Sequence, residues 1–337
     1  MAAYVVRRIA VLPLLLLGLA TITFAIAHAV PADPINSVVA ERQQNNPEVV
    51  AAARAHWGLD RSVPEQYSRY VWNLLHGDMG TSFRTKRPVR DDLAERLPAT
   101  LELTFSAMVV ATTIGIGLGI VAAVKRNRWP DHAARLFAVT GSAMPVFWIG
   151  LVVLLIFWAE LGWFPGPGRL DTRALAPPRL SGLYTVDALL NGDLGTFWNA
   201  LRHLMLPGFV LGWAVLGLIS RLVRASMVEV LGQDYIRTAR AKGLHERQVL
   251  LRHALKNALI PTLTVVGLSV AGLLGGAVLT EQIFSWPGIG GYTVQAAQSL
   301  DYPAIQSVAI FAGALMVVSN LVTDVAYAFV DPRIRLS

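Results

Sequence analysis

Residues 221–261 read RLVRASMVEVLGQDYIRTARAKGLHERQVLLRHALKNALIP and carry eight Lys or Arg residues against three acidic residues. Long uncharged apolar runs lie on both sides of this stretch. Lys and Arg are enriched in the cytoplasmic loops of membrane proteins. The stretch therefore predicts a helix-rich cytoplasmic loop held between two membrane spans.

A short helix is predicted inside this loop. Asp234 can cap its first turn, because a carboxylate accepts hydrogen bonds from the unpaired N–H groups of a helix N-terminus. Arg240 and Lys242 fall in its last turn, and Gly243 suits the left-handed position that ends a helix. A second helix is predicted from about His245 to Pro261.

The whole chain is too apolar for an ordinary soluble protein. Of its 337 residues, 54% are hydrophobic and 15% are charged, and its mean hydropathy is +0.49. Six uncharged runs approach or exceed the roughly 20 residues that a helix needs to cross a bilayer. We therefore predict an all-α integral membrane protein with six transmembrane helices. The runs are residues 9–32, 103–124, 136–159, 203–220, 257–280 and 302–323.

A seventh uncharged run, residues 282–300, contains Pro287, Gly288 and several Gln residues. Irregular backbone is costly against lipid, because its polar groups lack hydrogen-bond partners there. This run therefore predicts external or re-entrant structure instead of a span.

The first 30 residues allow two interpretations. Arg7, Arg8, an apolar stretch and the small residues around His28 are typical of a cleaved secretory signal. The apolar run is, however, longer than a signal core of about 7–15 residues, which favours a retained span. The predicted organisation is a cytoplasmic N-terminus and first span at 1–30, an external subdomain at 31–98, and a membrane domain with the other five spans at 99–337.

Charge supports this orientation. The external residues 31–98 carry nine basic and nine acidic residues, so the basic excess of the chain falls on the predicted inner segments. The net charge of +7 thus indicates orientation in a membrane and not affinity for nucleic acid. Both termini are expected in the cytoplasm. The chain has no cysteine, which excludes a disulfide framework.

Two motifs give the chain a family resemblance. Residues 234–244, DYIRTARAKGL, followed by 252–261, RHALKNALIP, resemble the coupling loop of permease subunits in bacterial ABC importers of the dipeptide and oligopeptide branch. Residues 279–290, LTEQIFSWPGIG, are similar to the same branch. The general importer pattern begins Glu-Ala-Ala, whereas this chain has Arg237-Thr238-Ala239 and a longer spacing to its Gly. The resemblance implies an ATPase-coupling helix made of Asp234, Tyr235, Ile236, Arg237, Thr238, Ala239, Arg240, Ala241, Lys242, Gly243 and Leu244.

The resemblance implies the type I ABC importer permease fold, with an external helical subdomain between spans one and two. It implies a second homologous permease subunit, two ABC ATPase subunits inside and a substrate-binding protein outside, in the bilayer of a bacterial inner membrane. The expected function is half of a translocation pathway for dipeptides or short oligopeptides, working by alternating access. Glutathione and nickel chelates are alternative substrates in the same family. No nucleic-acid partner is expected.

No catalytic, cofactor or metal site is predicted. The sequence lacks a Gly-x-x-x-x-Gly-Lys-Ser/Thr phosphate loop, so ATP and Mg are expected to be used by partner ATPase subunits. The seven histidines are scattered without metal-ligand spacing. A secondary transporter driven by an ion gradient is the alternative from another class, but such transporters use intramembrane charges, and these are few here. A membrane enzyme would need a nucleophile–base or metal constellation that the sequence does not offer.

A few residues are candidates for a hinge or gate. Pro145 should kink the third span. Glu281 and Asp324 lie within or beside apolar runs, where an ionised group is costly unless it is paired or faces water. Glu102 and Glu160 are placed at the outer membrane boundary instead. The candidates are Pro145, Glu281, Pro287, Gly288 and Asp324.

Overall fold

The structure is a computed structural model that describes residues 2–29, 33–39 and 41–330, and these ranges contain helices and connections without a β-strand. The helices are α1 (Ala2–Ala29), α2 (Ile35–Val38), α3 (Pro47–Trp57), α4 (Val63–Leu75), α5 (Val89–Val124), α6 (Trp129–Ala143), α7 (Val146–Leu154), α8 (Tyr184–Leu190), α9 (Leu194–Leu231), α10 (Asp234–Ala241), α11 (Glu246–Gln248), α12 (Leu255–Ala258), α13 (Ile260–Gly276), α14 (Val278–Ile283), α15 (Ile289–Gln298) and α16 (Tyr302–Val330). A 3₁₀ turn lies at Glu41–Gln43, and π-helical turns lie at Leu155–Glu160 and Val249–Ala254.

The chain divides into two compact units. The first unit comprises Met1–Pro98 and Pro287–Val318, and the second comprises Ala99–Trp286 and Ser319–Ser337. The chain therefore passes between the units within α5, just before Pro287 and within α16.

Helix α3 of the first unit begins and ends where local chemistry requires. The Asn46 side chain accepts a hydrogen bond from the Glu48 N–H at the start of α3, and Pro47 supplies the fixed φ that suits a first helical turn. Gly58, with φ +67°, ends this helix in the left-handed conformation. Both ends of α3 are thus fixed by signals that the sequence carries locally.

A buried carboxylate organises the rest of the first unit. Asp301, directly before α16, accepts hydrogen bonds from the Ser82 hydroxyl at 2.5 Å and from the N–H groups of Phe83 and Arg84. The side chain of Asp301 is almost completely buried. This carboxylate therefore fixes the loop before α5 to the beginning of the last helix.

The second unit is built around α9. This helix has 38 residues, and 61% of its most apolar 18-residue stretch is buried inside the protein. The corresponding share is 17–39% for the other single helices of membrane-spanning length. It packs against α6, α7, α8 and α13. Because α9 contacts so many partners, it is the central support of this unit.

The described residues contain four single helices that are long and apolar enough to cross a membrane, in α1, α5, α9 and α16. Two bent pairs pass the same test: α6 with the α7 segment, bent by 110°, and the α11–α12 segment with α13, bent by 55°. Counting each pair as one span gives six, in agreement with the six predicted spans. Pro145 produces a full break between α6 and α7 instead of the predicted kink, because it stands as an extended residue between them with φ −60° and ψ 132°.

Two regions outside the six predicted spans contain helices. The connection between α7 and α9 holds α8, and α9 begins at Leu194, before the uncharged run 203–220, because Asp193 caps it by accepting from the Thr196 N–H. The run 282–300 contains α15, which packs its apolar face in the core of the first unit. Short helices with few charges at their ends were not separable from loops in the sequence.

The Gly-rich face of α5 permits a close approach to α9. A Cβ on Gly119 would lie 2.7 Å from the Val223 Cβ and 2.9 Å from the Ser220 carbonyl oxygen. A Cβ on Gly117, two residues away on the same helix, would meet nothing within 4 Å. The two glycines therefore differ in function: only Gly119 is required for packing.

We predict that Gly119→Ala destabilises the protein by about 1–3 kcal/mol, because the added methyl group overpacks the α5–α9 contact. Thermal unfolding of the purified chain in detergent measures this change. Gly117→Ala is the matched control and should unfold at the temperature of the unmodified chain. Equal unfolding temperatures for both variants would contradict the packing argument.

Candidate functional site

The predicted coupling helix forms α10 and is fixed to the body of the second unit by two side chains. Ile236 is fully buried and Ala239 is nearly so, and their spacing of three places both on one face of α10. They belong to a cluster with Val223 and Met227 of α9 and with Val249 of the following π-helical turn. The inner face of α10 is therefore part of the same core as α9.

The two ends of α10 differ in how well the sequence predicted them. Gly243 has φ +72° and the Leu244 N–H bonds back to the Ala239 carbonyl, so the predicted left-handed stop is present. Gln233 occupies the N-cap position, whereas Asp234 is the first helical residue and makes no capping hydrogen bond. Asp234 was thus misplaced by one position, although its charge still lies beside the positive end of the helix dipole.

The outer face of α10 is exposed and basic. Tyr235, Arg237, Thr238, Ala241, Lys242 and Leu244 are all exposed. The Arg237 side chain is 74% exposed and its ion pair with Asp234 is a long one, at 3.3 Å. Tyr235 is oriented by Asn257, whose side-chain N–H donates to the Tyr235 hydroxyl at 2.8 Å. A flat surface of cations and apolar atoms is thus held in a fixed orientation.

Arg240 braces the turn after α10. Its guanidinium donates two hydrogen bonds to Glu246, from Nε at 3.0 Å and from Nη2 at 2.7 Å. These bonds to the carboxylate raise the pKa of Arg240 above its usual value. The pair joins α10 to the beginning of α11, so Arg240 stabilises the loop. Its guanidinium is already bound to Glu246 and is less available to a partner protein than that of Arg237.

A buried ionic cluster lies where α6 meets α9. The side chain of Asp131 has no exposed surface, and Arg224 of α9 binds it through two hydrogen bonds, at 2.8 and 2.7 Å. The Asn127 N–H donates to the same carboxylate at 2.9 Å, and the Arg135 Nε lies 3.2 Å away. The segment of α9 that leads into α10 is thereby joined to the connection between α5 and α6.

Sequence reasoning missed this cluster. Neither Arg224 nor Asp131 was singled out from the sequence. The available signal was that Asp131 lies in the first turn of a helix between basic residues, where a carboxylate satisfies both the helix dipole and its neighbours.

A second buried ion pair lies at the start of the second unit. Glu102 accepts from Arg169 at 2.6 Å and from the N–H and hydroxyl of Thr185 at 2.8 and 2.6 Å. The Arg169 guanidinium carbon lies 3.5 Å above the ring centre of Tyr184 and 5.6 Å from that of Trp286. Glu102 therefore ties α5 to the connection between α7 and α9, and its predicted position at the membrane boundary stays a prediction.

The hinge and gate candidates lie on different elements of the chain. Glu281 is buried and accepts from the Thr100 hydroxyl at 2.7 Å, which agrees with a paired role. Pro145 separates α6 from α7, and Gly288 precedes α15 in an extended conformation. Pro287 is exposed and is the residue at which the chain enters the first unit. The side chain of Asp324 lies outside the residues whose side chains the structure describes.

Comparison with protein families decides the class of the molecule. Residues 115–336 match the family described as "Binding-protein-dependent transport system inner membrane component", and residues 1–104 match its N-terminal companion, "Binding-prot-dependent transport system membrane comp, N-term". The chain belongs to this family. It is therefore a permease subunit of a bacterial binding-protein-dependent transport system, and the type I ABC importer permease fold expected from its sequence is confirmed.

Several curated permeases are similar to this one over nearly their full length. The "Probable D,D-dipeptide transport system permease protein DdpB" of Escherichia coli is 47% identical over 96% of this permease and 94% of its own length. The "Dipeptide transport system permease protein DppB" of Alkalihalophilus pseudofirmus is 44% identical over 99% and 100%. The "Glutathione transport system permease protein GsiC" of Salmonella paratyphi A is 38% identical over 99% of each chain.

Among solved structures, this permease resembles a chain of the MetNI methionine ABC transporter in inward-facing conformations. The TM-score is 0.48 with 15% identity, over 69% of this permease and 93% of that chain.

We predict that Asp131→Asn destabilises the permease by about 1.5–3 kcal/mol, because hydrogen bonds between charged groups are lost while Arg224 keeps its charge. Glu246→Gln is the matched control, since Arg240 and Glu246 form a similar two-bond pair with both side chains largely exposed. That exposed pair should contribute at most about 1 kcal/mol. Thermal unfolding in detergent at neutral pH compares the two variants. A control that unfolds as early as Asp131→Asn would show that burial is not what makes the Asp131 pair strong.

Proposed function

We propose that this permease forms half of the translocation pathway of an ATP-driven importer of dipeptides or short oligopeptides. Support comes from the relatives at 41–47% identity over 96–99% of this chain, whose names describe dipeptide, di/tripeptide or D,D-dipeptide transport. The glutathione permease at 38% identity keeps a second substrate class, itself a short peptide, as the alternative.

The proposed assembly follows from what the chain lacks and what it exposes. The sequence has no phosphate loop, so ATP and Mg are proposed to bind two partner ABC ATPase subunits on the cytoplasmic side. A second homologous permease would complete the pathway, and a substrate-binding protein would deliver peptide from outside. Basic residues concentrate in residues 221–261, which favours a cytoplasmic loop and both termini on that side of the inner membrane.

One observation supports the coupling role of α10 more than any other. Its inner face is locked into the core of α9 through Ile236 and Ala239, while its outer face presents Tyr235, Arg237 and Lys242 to solvent. A force applied to the outer face of α10 is therefore transmitted to α9, because the two helices share one core. A helix that couples a partner subunit to the membrane helices requires such a connection.

The proposed cycle is alternating access. Closure of the ATPase subunits displaces α10, α9 follows because the two share one core, and the Asp131–Arg224 pair carries the displacement to α6. The break at Pro145 and the chain entry at Pro287 and Gly288 are proposed hinges, because helices on either side of each can reorient without breaking helical hydrogen bonds. Glu281 and Asp324 stay gate candidates.

The complex tests this function. The permease is co-purified in mild detergent with its native partners, reconstituted in liposomes, and assayed for uptake of a radiolabelled dipeptide. Uptake should require ATP, Mg and the binding protein together. Uptake that continues without ATP and follows an imposed ion gradient would overturn the proposal in favour of a secondary transporter.

We predict that Arg237→Glu lowers ATP-driven uptake at least tenfold, because it reverses a charge at the centre of the outer face without disturbing the buried face. Arg126→Glu is the matched control, since Arg126 is an exposed cation in the inner segment between α5 and α6. Both variants should reach the membrane at equal levels, measured by immunoblot. Full uptake by the Arg237 variant would remove α10 as the docking element.

A further inference from the structure

The first unit contains a partly open cavity of about 310 Å³. Its walls come from the C-terminal ends of α1 and α3, the α3–α4 connection, α4, the α4–α5 connection and the first turns of α16, and every lining residue belongs to the first unit. Pockets that bind small ligands have volumes of about 300–1,000 Å³. The cavity is therefore large enough for one small molecule, but too small for an extended peptide or a two-chain lipid.

One wall of the cavity is aromatic. The rings of Trp57 and Phe83 meet edge to face with centroids 4.9 Å apart, and Phe24 and Tyr70 stack at 5.7 Å. Tyr302 closes the same side. Such a wall is suited to an apolar or aromatic side chain of a ligand.

The decisive group is Gln306. This residue is 5% exposed as a whole and lines the cavity, and no hydrogen bond joins its side-chain amide to another residue that the structure describes. Its amide atoms are not among the fully buried unpaired atoms of the described residues, so they remain accessible. An amide in this position can meet a ligand that offers both a donor and an acceptor.

Three charged residues also line the cavity, Arg61, Arg69 and Asp78, of which Arg69 and Asp78 are exposed. Arg69 forms no ion pair within the described part of the chain, and Asp78 binds only the Gly80 N–H, through Oδ1 at 2.8 Å. The second carboxylate oxygen of Asp78 is thus available, as is the guanidinium of Arg69. By contrast, Arg61 is already held by Glu65.

We propose that this cavity is a binding site for a free dipeptide in the first unit of the permease. The α-carboxylate would pair with Arg69, the α-ammonium with Asp78, and the peptide bond with the Gln306 amide, while a side chain packs on Trp57 and Phe83. The choice of a dipeptide among small zwitterions rests on the proposed function.

The test uses the full-length permease alone in nanodiscs of phosphatidylethanolamine and phosphatidylglycerol, without ATP or binding protein. The probe is L-alanyl-L-phenylalanine, and isothermal titration calorimetry measures its dissociation constant. We expect saturable binding of one peptide per chain. N-acetyl-L-alanyl-L-phenylalaninamide, which lacks both terminal charges, should bind at least tenfold more weakly. Equal binding of the blocked peptide, or equal competition by inorganic phosphate, would overturn the proposal.

Two variants locate the site. Arg69→Ala should weaken binding about tenfold, because a charge-assisted hydrogen bond is lost. Gln306→Leu should reduce binding by a similar or larger factor while leaving the unfolding temperature unchanged, since the amide makes no hydrogen bond to another described residue that would be lost. Arg42→Ala and Gln298→Leu change exposed residues of the same unit outside the cavity and should bind normally. Unchanged binding in both cavity variants would place the peptide elsewhere and end the proposal.

Binding and transport can fail separately. If the reconstituted complex imports dipeptides while the permease alone binds none, this inference falls and the proposed function stands. If the permease alone binds the dipeptide but the complex imports a different substrate class, the cavity site stands and the proposed function falls.

Discussion

The burial of Ile236 and Ala239 in a core shared with α9 is the constraint on which the functional architecture depends. A helix of eight residues has little stability of its own, because nucleation is costly and few backbone hydrogen bonds follow. Packing therefore decides where α10 lies and how it is oriented. The outer face of α10 has a defined orientation because the buried side chains of its inner face fix the helix against α9.

Three buried carboxylates fix the positions of other segments. Asp131 and Glu102 in the second unit and Asp301 in the first each collect donors from segments far apart in the sequence. A buried charge is tolerated only with several well-placed partners, so each carboxylate fixes the relative position of the segments that supply them. The connections near the helix ends that these carboxylates contact are thus held in place by polar interactions.

The sequence predicted what depends on local signals and composition. Uncharged runs located the membrane helices, Gly243 located the end of α10, and the motifs at 234–244 and 279–290 identified the family. It could not locate contacts between distant residues: neither the Asp131–Arg224 pair nor the Glu102–Arg169 pair has a local signature, since each forms only when separate helices pack. The break at Pro145 was underestimated for the same reason, because the angle of a proline break is set by the neighbours and not by the proline.

The π-helical turn at Val249–Ala254 sets which side chains of the segment after α10 face the core that this segment shares with α10. A π-helical turn accommodates one more residue than an α-helical turn, and one residue corresponds to about 100° of rotation around a helix axis. If this turn relaxed to α-helical form, Val249 would rotate relative to α13 and away from the core against which Ile236 packs. The position of α10 thus depends on its packing with α9 and also on the unusual winding of six residues outside α10.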